Sequence, residues 1–130
     1  HDPRRVTRIV GRGWATVDLE RAAAELSDRV VDGGFEVVDR SAWLGARCRR
    51  ARALDPSDGE WIVLLEPDTE GRLAGFLARH GEGWAATWDV AADAALPGSR
   101  PGPLGPESPV SDQPISGPFR LSTTAATIER

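Results

Sequence analysis

Apolar and polar positions change period several times along this chain, and each change marks an element. Residues 6–17, VTRIVGRGWATV, are β-branched and aromatic with interposed glycines, which predicts a strand that another backbone or a ligand approaches closely. The period then lengthens. In DLERAAAELSDRVV, Asp18 can cap a helix, and Leu19, Ala22, Ala23, Leu26 and Val30 recur at helical spacing as one apolar stripe that Gly33 and Gly34 terminate. GFEVVDR predicts a short strand. WLGARCRRARAL, residues 43–54, predicts a longer one whose arginines fall on both faces, as near a sheet edge or beside something polar.

DPSDG, residues 55–59, combines proline, aspartate and glycine in a turn that joins antiparallel strands, and EWIVLLEP supplies the buried strand that follows. Asp68 to Gly71 form another turn. RLAGFLARHG then makes a short helix with Leu73, Phe76 and Leu77 on its apolar side. After GEG the opening returns: WAATWDVAADAAL at 84–96 echoes WATVDLERAAAEL at 14–26, a strand running into an alanine-rich helix start. The second copy is cut short. Residues 97–118 hold seven of the chain's ten prolines, too many for a helix or a central strand. That segment is expected to lie against the body or a neighbouring subunit, as a cavity lid or a dimer arm, before FRLSTTAATIER closes the chain as a strand.

Composition adds bounds to this picture. At 130 residues the chain makes one domain, and 40% hydrophobic with 28% charged residues is ordinary for a soluble protein. A formal net charge of -4 argues against a general binder of nucleic acid or anionic membrane, because neutralising phosphates needs a basic surface. No apolar run is long enough to span a bilayer. Cys48 is the only cysteine, so no intrachain disulfide forms; with no hydrophobic secretion segment in HDPRRVTRIV, a reducing, cytoplasmic setting is expected.

The order VDLERAAAEL, LLEP, then FLARHGEG and a new strand resembles the vicinal oxygen chelate superfamily, the glyoxalase and bleomycin-resistance fold, with methylmalonyl-CoA epimerase as the nearest flavour. The resemblance implies an α+β domain over residues 1–130, built of paired βαβββ modules that form a curved half-barrel sheet. The first module would span 6–80, and a truncated second one 84–130 with the proline-rich segment 97–118 inside it. GEG would be the hinge between modules, where glycine permits a sharp turn. Metal-dependent members carry a histidine in the first strand, a Gln or Glu near LLEP, a histidine just after GEG and a glutamate in the last strand. Here those positions fall on Gly11, on Ile62 or Val63, and on Ala85 or Ala86, which leaves Glu129 as the one carboxylate that could correspond. One carboxylate cannot hold a divalent ion, so neither a catalytic metal nor another cofactor is expected.

Five tryptophans beside three phenylalanines and no tyrosine form an unusual aromatic set. Trp14, Trp43, Trp61, Trp84 and Trp88 could wall a cavity for a flat or apolar ligand, or simply pack the core. Strand alternation puts Trp61, Val63 and Leu65 on one face, which in the family looks into the cavity, and Trp14 on the helix side. Arg47, Arg49, Arg50 and Arg52 form the densest basic run; Arg47 and Arg49 are the candidate contacts for a carboxylate or for the phosphates of a thioester carrier, unless the run is a solvated edge. Glu66 and Glu129 are the candidate acid or base groups. Glu82 reads as a turn residue, His80 as an exposed helix-end cation and Cys48 as a small buried hydrophobe. No nucleophile–base pair, phosphate loop or zinc spacing occurs. The expected function is metal-independent binding of a small molecule by a homodimer. The alternatives are an isomerase, epimerase or lyase acting on an acyl or polyketide-like substrate through carboxylates, and a non-catalytic interaction subunit with a filled interior.

Overall fold

A computed structural model describes residues 9–55, 59–91, 100–110 and 118–124. Its strands are β1 (Ile9–Ala15), β2 (Glu36–Ser41), β3 (Ala46–Arg52), β4 (Trp61–Pro67), β5 (Gly83–Ala91), β6 (Glu107–Pro109) and β7 (Phe119–Thr124), with helices α1 (Leu19–Glu25) and α2 (Arg72–His80). The strands form one sheet in the order β2-β3-β4-β1-β5-β7-β6. In both modules the first strand lies parallel to the last, β1 beside β4 and β5 beside β7, and β1 joins the halves by pairing antiparallel with β5. The sheet is thus the expected half-barrel, with four strands from the first module and three described strands from the second.

The echo between the modules has a physical counterpart: Trp14 and Trp84, equivalent in the repeat, are register partners and meet edge to face with centroids 5.1 Å apart. One surface of the sheet, here the outer face, carries Leu64 against Leu19, Ala22 and Leu26 of α1. The inner face carries Cys48, Trp61, Val63, Leu65, Ala86, Trp88 and Leu121, with α2 closing one end through Leu73 and Phe76.

The helix predicted to run on to Val30 stops earlier. Asp18 caps it by accepting from the Glu20 and Arg21 N–H groups at 3.1 and 3.2 Å, worth about 1 kcal/mol. Beyond Leu26 the chain tightens into a short 3-10 turn, and Val30 turns extended to bridge Ala53 and pack on Ile62. Pairing with the sheet wins over the apolar stripe, because it satisfies backbone groups and buries the same side chain. Among its described residues the proline-rich segment contributes the short edge strand β6, where Pro109 removes no central ladder bond. The alanine-rich stretch 92–99 and the end of the closing strand, with Glu129, lie outside the described residues.

Candidate functional site

In the first strand, Gly11 and Gly13 leave the inner face bare of side chains along its middle. That room is already taken. A Cβ on Gly11 would stand 2.6 Å from Cδ1 of Leu104, and one on Gly13 would stand 2.7 Å from Cδ1 of Leu65 and 2.9 Å from the six-membered ring of Trp88. Leu104, from the proline-rich segment, is fully buried, as are Trp88 and Leu121. The middle of the inner face is therefore packed by the chain's own side chains.

An acidic group sits within this packing. Glu107, 1% exposed, accepts from the Ser41 hydroxyl at 2.6 Å and from the Trp88 indole N–H at 2.8 Å. The Gly102 backbone lies so close to the carboxyl group that a side chain there would overlap it. Burial pushes the pKa of Glu107 up to about 7 from an ordinary 4.5, and the two hydrogen bonds only partly offset that rise. Burial also raises the nearby Cys48 thiol well above its usual range, which makes it a poor nucleophile.

Among the described residues, open volume lies at the rim. A groove of about 470 Å³ runs past Val31, Phe35, Glu36, Arg50, Arg52 and Trp61. The guanidinium carbons of Arg50 and Arg52 stand 4.3 and 4.4 Å from the Trp61 ring centroid. Arg50 is further held by Glu36 at 3.1 Å and by the Pro103 carbonyl at 3.0 Å, whereas Arg52 reaches Glu60 only at 3.9 Å. A second groove of about 290 Å³ lies on the other side of Arg50, between Val38, Asp39 and residues 102–105.

The predicted site residues divide among several places. Trp61 and Trp88 share the inner face, while Trp14 and Trp84 stack on the outer one, with Arg12 over Trp84 at 4.1 Å. Trp43 packs edge to face on Phe119 at the α2 end and lies under Arg72. Arg49 points outward to Glu20 of α1, at 3.9 Å, and Arg47 is exposed on that same side. Glu66 also points outward, half-buried, accepting from the Leu19 N–H at 3.4 Å. The groove residues Arg50 and Arg52 belong to the basic run but were passed over for Arg47 and Arg49: Arg52 is the register partner of Trp61, so the β3–β4 register sets it on the indole's face. Glu107 carried no signal, because it lies among prolines where no period exists.

Glu82, at the centre of GEG, accepts from the Thr16 hydroxyl and the Val17 N–H, each at 3.0 Å, and from Arg21. These donors, led by the Val17 amide, hold its pKa below the ordinary carboxylate value. It fastens the start of the second module to the β1–α1 turn of the first.

The residues at the metal-binding positions of the family do not fit a metal. Gly13 pairs with Val63 on one side and with Ala86 on the other, so the positions at Gly11, Val63 and Ala86 do converge on the inner face, but none carries a donor atom. The Leu104 methyl occupies the space into which a side chain at Gly11 would project.

No protein-family model matches the sequence, and no curated protein matches it. Solved structures do match. A Streptomyces coelicolor methylmalonyl-CoA epimerase variant in complex with 2-nitronate-propionyl-CoA has a TM-score of 0.67 and 24% identity, over 92% of this chain and 99% of that one. A methylmalonyl-CoA epimerase in complex with methylmalonyl-CoA and ammonium has a TM-score of 0.68 and 24% identity, over 94% and 97%. The enzyme of the same name from Mycobacterium tuberculosis has a TM-score of 0.62 and 18% identity, over 92% and 89%. With its paired modules, strand order and these structural neighbours, the chain has the fold of the vicinal oxygen chelate superfamily.

Proposed function

We propose that this chain binds a small acyl or flat apolar molecule bearing a carboxylate or phosphate, at the rim of the inner face and without a metal. The observation that carries the reading is Trp61, set beside a groove of about 470 Å³ with the guanidinium groups of Arg50 and Arg52 over its ring. The indole backs the two guanidinium groups, and Arg52, tied only loosely to Glu60, has donors to spare for an anion. The fold neighbours in complex with acyl-CoA ligands support that ligand class. The outer edge strand β2, with Val37 77% exposed, is the face assigned to a homodimer in this reading.

Titration with methylmalonyl-CoA, followed by tryptophan fluorescence, tests the reading. Saturable quenching is expected, insensitive to EDTA and weakened about tenfold in Arg52→Ala, as for loss of one charge-assisted contact. Absence of saturable quenching by this thioester and by aryl carboxylates alike would remove it.

A second reading, proton transfer at the carbon beside a thioester carbonyl, draws on the epimerase neighbours and on Glu107, whose pKa of about 7 suits an acid–base group. It requires deuterium from solvent to enter bound methylmalonyl-CoA, and to stop entering in Glu107→Gln. Neither quenching nor exchange would point to a non-catalytic interaction subunit.

A further inference from the structure

The segment that fills the inner face is attached to the sheet in an uneven way. Between Arg100 and Glu107 the chain forms its own small loop, closed by reciprocal backbone bonds of 2.9 and 2.8 Å. To the first module it is fastened at few polar points: the Ala42 N–H donates to the Pro101 carbonyl at 3.2 Å, Arg50 to the Pro103 carbonyl at 3.0 Å, and the Ser41 hydroxyl to Glu107 at 2.6 Å. Behind it, Thr123 of β7 donates to the Leu104 and Pro106 carbonyls at 3.2 and 2.8 Å. Only the edge strand β6 ties the segment into the ladder. Leu104 and Glu107 are its two buried feet, one apolar and one acidic.

The acidic foot decides how firmly the segment seats. Among the described residues packed around it, Ser41 of β2 and Trp88 of β5 offer neutral donors. Of the titratable groups on β3, Cys48 lies near enough to feel its charge but is itself held protonated, and Arg50 is committed to Glu36 and Pro103. Arg100, at the mouth of the loop, is exposed. A charged Glu107 is thus buried on two neutral hydrogen bonds, whereas a neutral one suits the site.

We propose that residues 100–109 are a displaceable plug over the inner face, seated when Glu107 carries its proton and loosened when the proton leaves. The inference rests on the binding reading above for what the opened cup would admit, but the motion itself needs no ligand. Sign and size follow from linkage. A group that ionises near 4.5 when free and near 7 when seated makes opening about tenfold easier for each pH unit between those values, with no further change above the higher one. Acid seals the cup, and neutral pH leaves the plug at its loosest.

Hydrogen exchange resolved to the Ala42, Arg100 and Glu107 amides, corrected for the intrinsic pH dependence of exchange, tests this on the intact chain without ligand. Protection at these three amides is expected to fall about tenfold per unit from pH 5 to 7 and then level off, and at every pH to stay well below that of the β1–β4 ladder amides, which open only with the whole sheet. In Glu107→Gln, a neutral isostere, protection should stay high at every pH. Ser41→Ala, which removes a donor that favours the ionised form, should move the levelling point to higher pH; it serves equally if the first variant folds poorly. Protection that is independent of pH in the parent chain, or that equals that of the β1–β4 ladder at every pH, would overturn the proposal. Methylmalonyl-CoA quenching measured at pH 5.5 and 7.5 then separates the two ideas: a moving plug with no quenching keeps the gate and removes the ligand reading.

Discussion

Two glutamates tie the modules of this protein together, and their surroundings are opposites. Glu82 sits at the exposed hinge, where the Thr16 hydroxyl, the Val17 amide and Arg21 all favour its charge. Glu107 is sealed under the proline-rich plug with one hydroxyl, one indole N–H and no cation bonded to it. The first is held ionised and the second is biased to neutrality, so one residue type in two packings gives two opposite responses to acid. Where solvent and donors remain, a carboxylate fastens as an anion. Where they are excluded, it fastens as an acid.

The largest test of this contrast concerns the apolar foot beside Glu107. Leu104→Ala is expected to cost about 2–5 kcal/mol, because a fully buried leucine leaves a cavity between Gly11 and its neighbours, and denaturant melts would read that loss. Next comes the pH dependence of the two acids. Stability contributed by Glu107, whose folded value is raised, is present in full below about 4.5 and is lost as pH rises to about 7. Glu107→Gln should therefore flatten the melting curve in that window and raise neutral-pH stability by on the order of 2–3 kcal/mol. An unchanged pH profile in that variant would mean that the acid is not neutral in the fold.

Gly11→Ala is a smaller perturbation, about 1–3 kcal/mol of overpacking against Leu104, and a double variant with Leu104→Ala should recover part of it. Simple additivity would show that the two positions do not meet. The smallest effect belongs to the hinge. Glu82→Ala should cost about 1–2 kcal/mol by leaving the Val17 amide without its acceptor, while the Thr16 hydroxyl keeps the Asp18 carbonyl. Its pH sign is reversed. The stability that Glu82 supplies is present above 4.5 and disappears as pH falls through its depressed value, so the variant and parent melts should converge in acid.

Much of the fold was legible because its signals are periodic. The alternation of Trp61, Val63 and Leu65 with Ile62 and Leu64 assigned both faces of β4, and the parallel between residues 14–26 and 84–96 announced the doubled module that places Trp14 beside Trp84. The candidate site was less legible. Arg47 and Arg49 were favoured over Arg50 and Arg52, although pairing with Trp61 turns the latter two toward the groove; choosing between them needed the register of β3 on β4. Glu66 belonged to a strong motif, yet it faces α1, where its carboxylate meets the Leu19 amide.

The chain's own residues settled most of the elements that form, that three of the four positions corresponding to metal ligands carry no donors, and that the second half is abbreviated, since these depend on local period and side-chain chemistry. What fills the emptied cup was decided only in three dimensions. Leu104 and Glu107 lie in an aperiodic stretch, and their seats against Gly11, Ser41 and Trp88 join positions between 19 and 93 residues apart. Packing and desolvation at such separations are set by the assembled sheet, so no local pattern could have announced them.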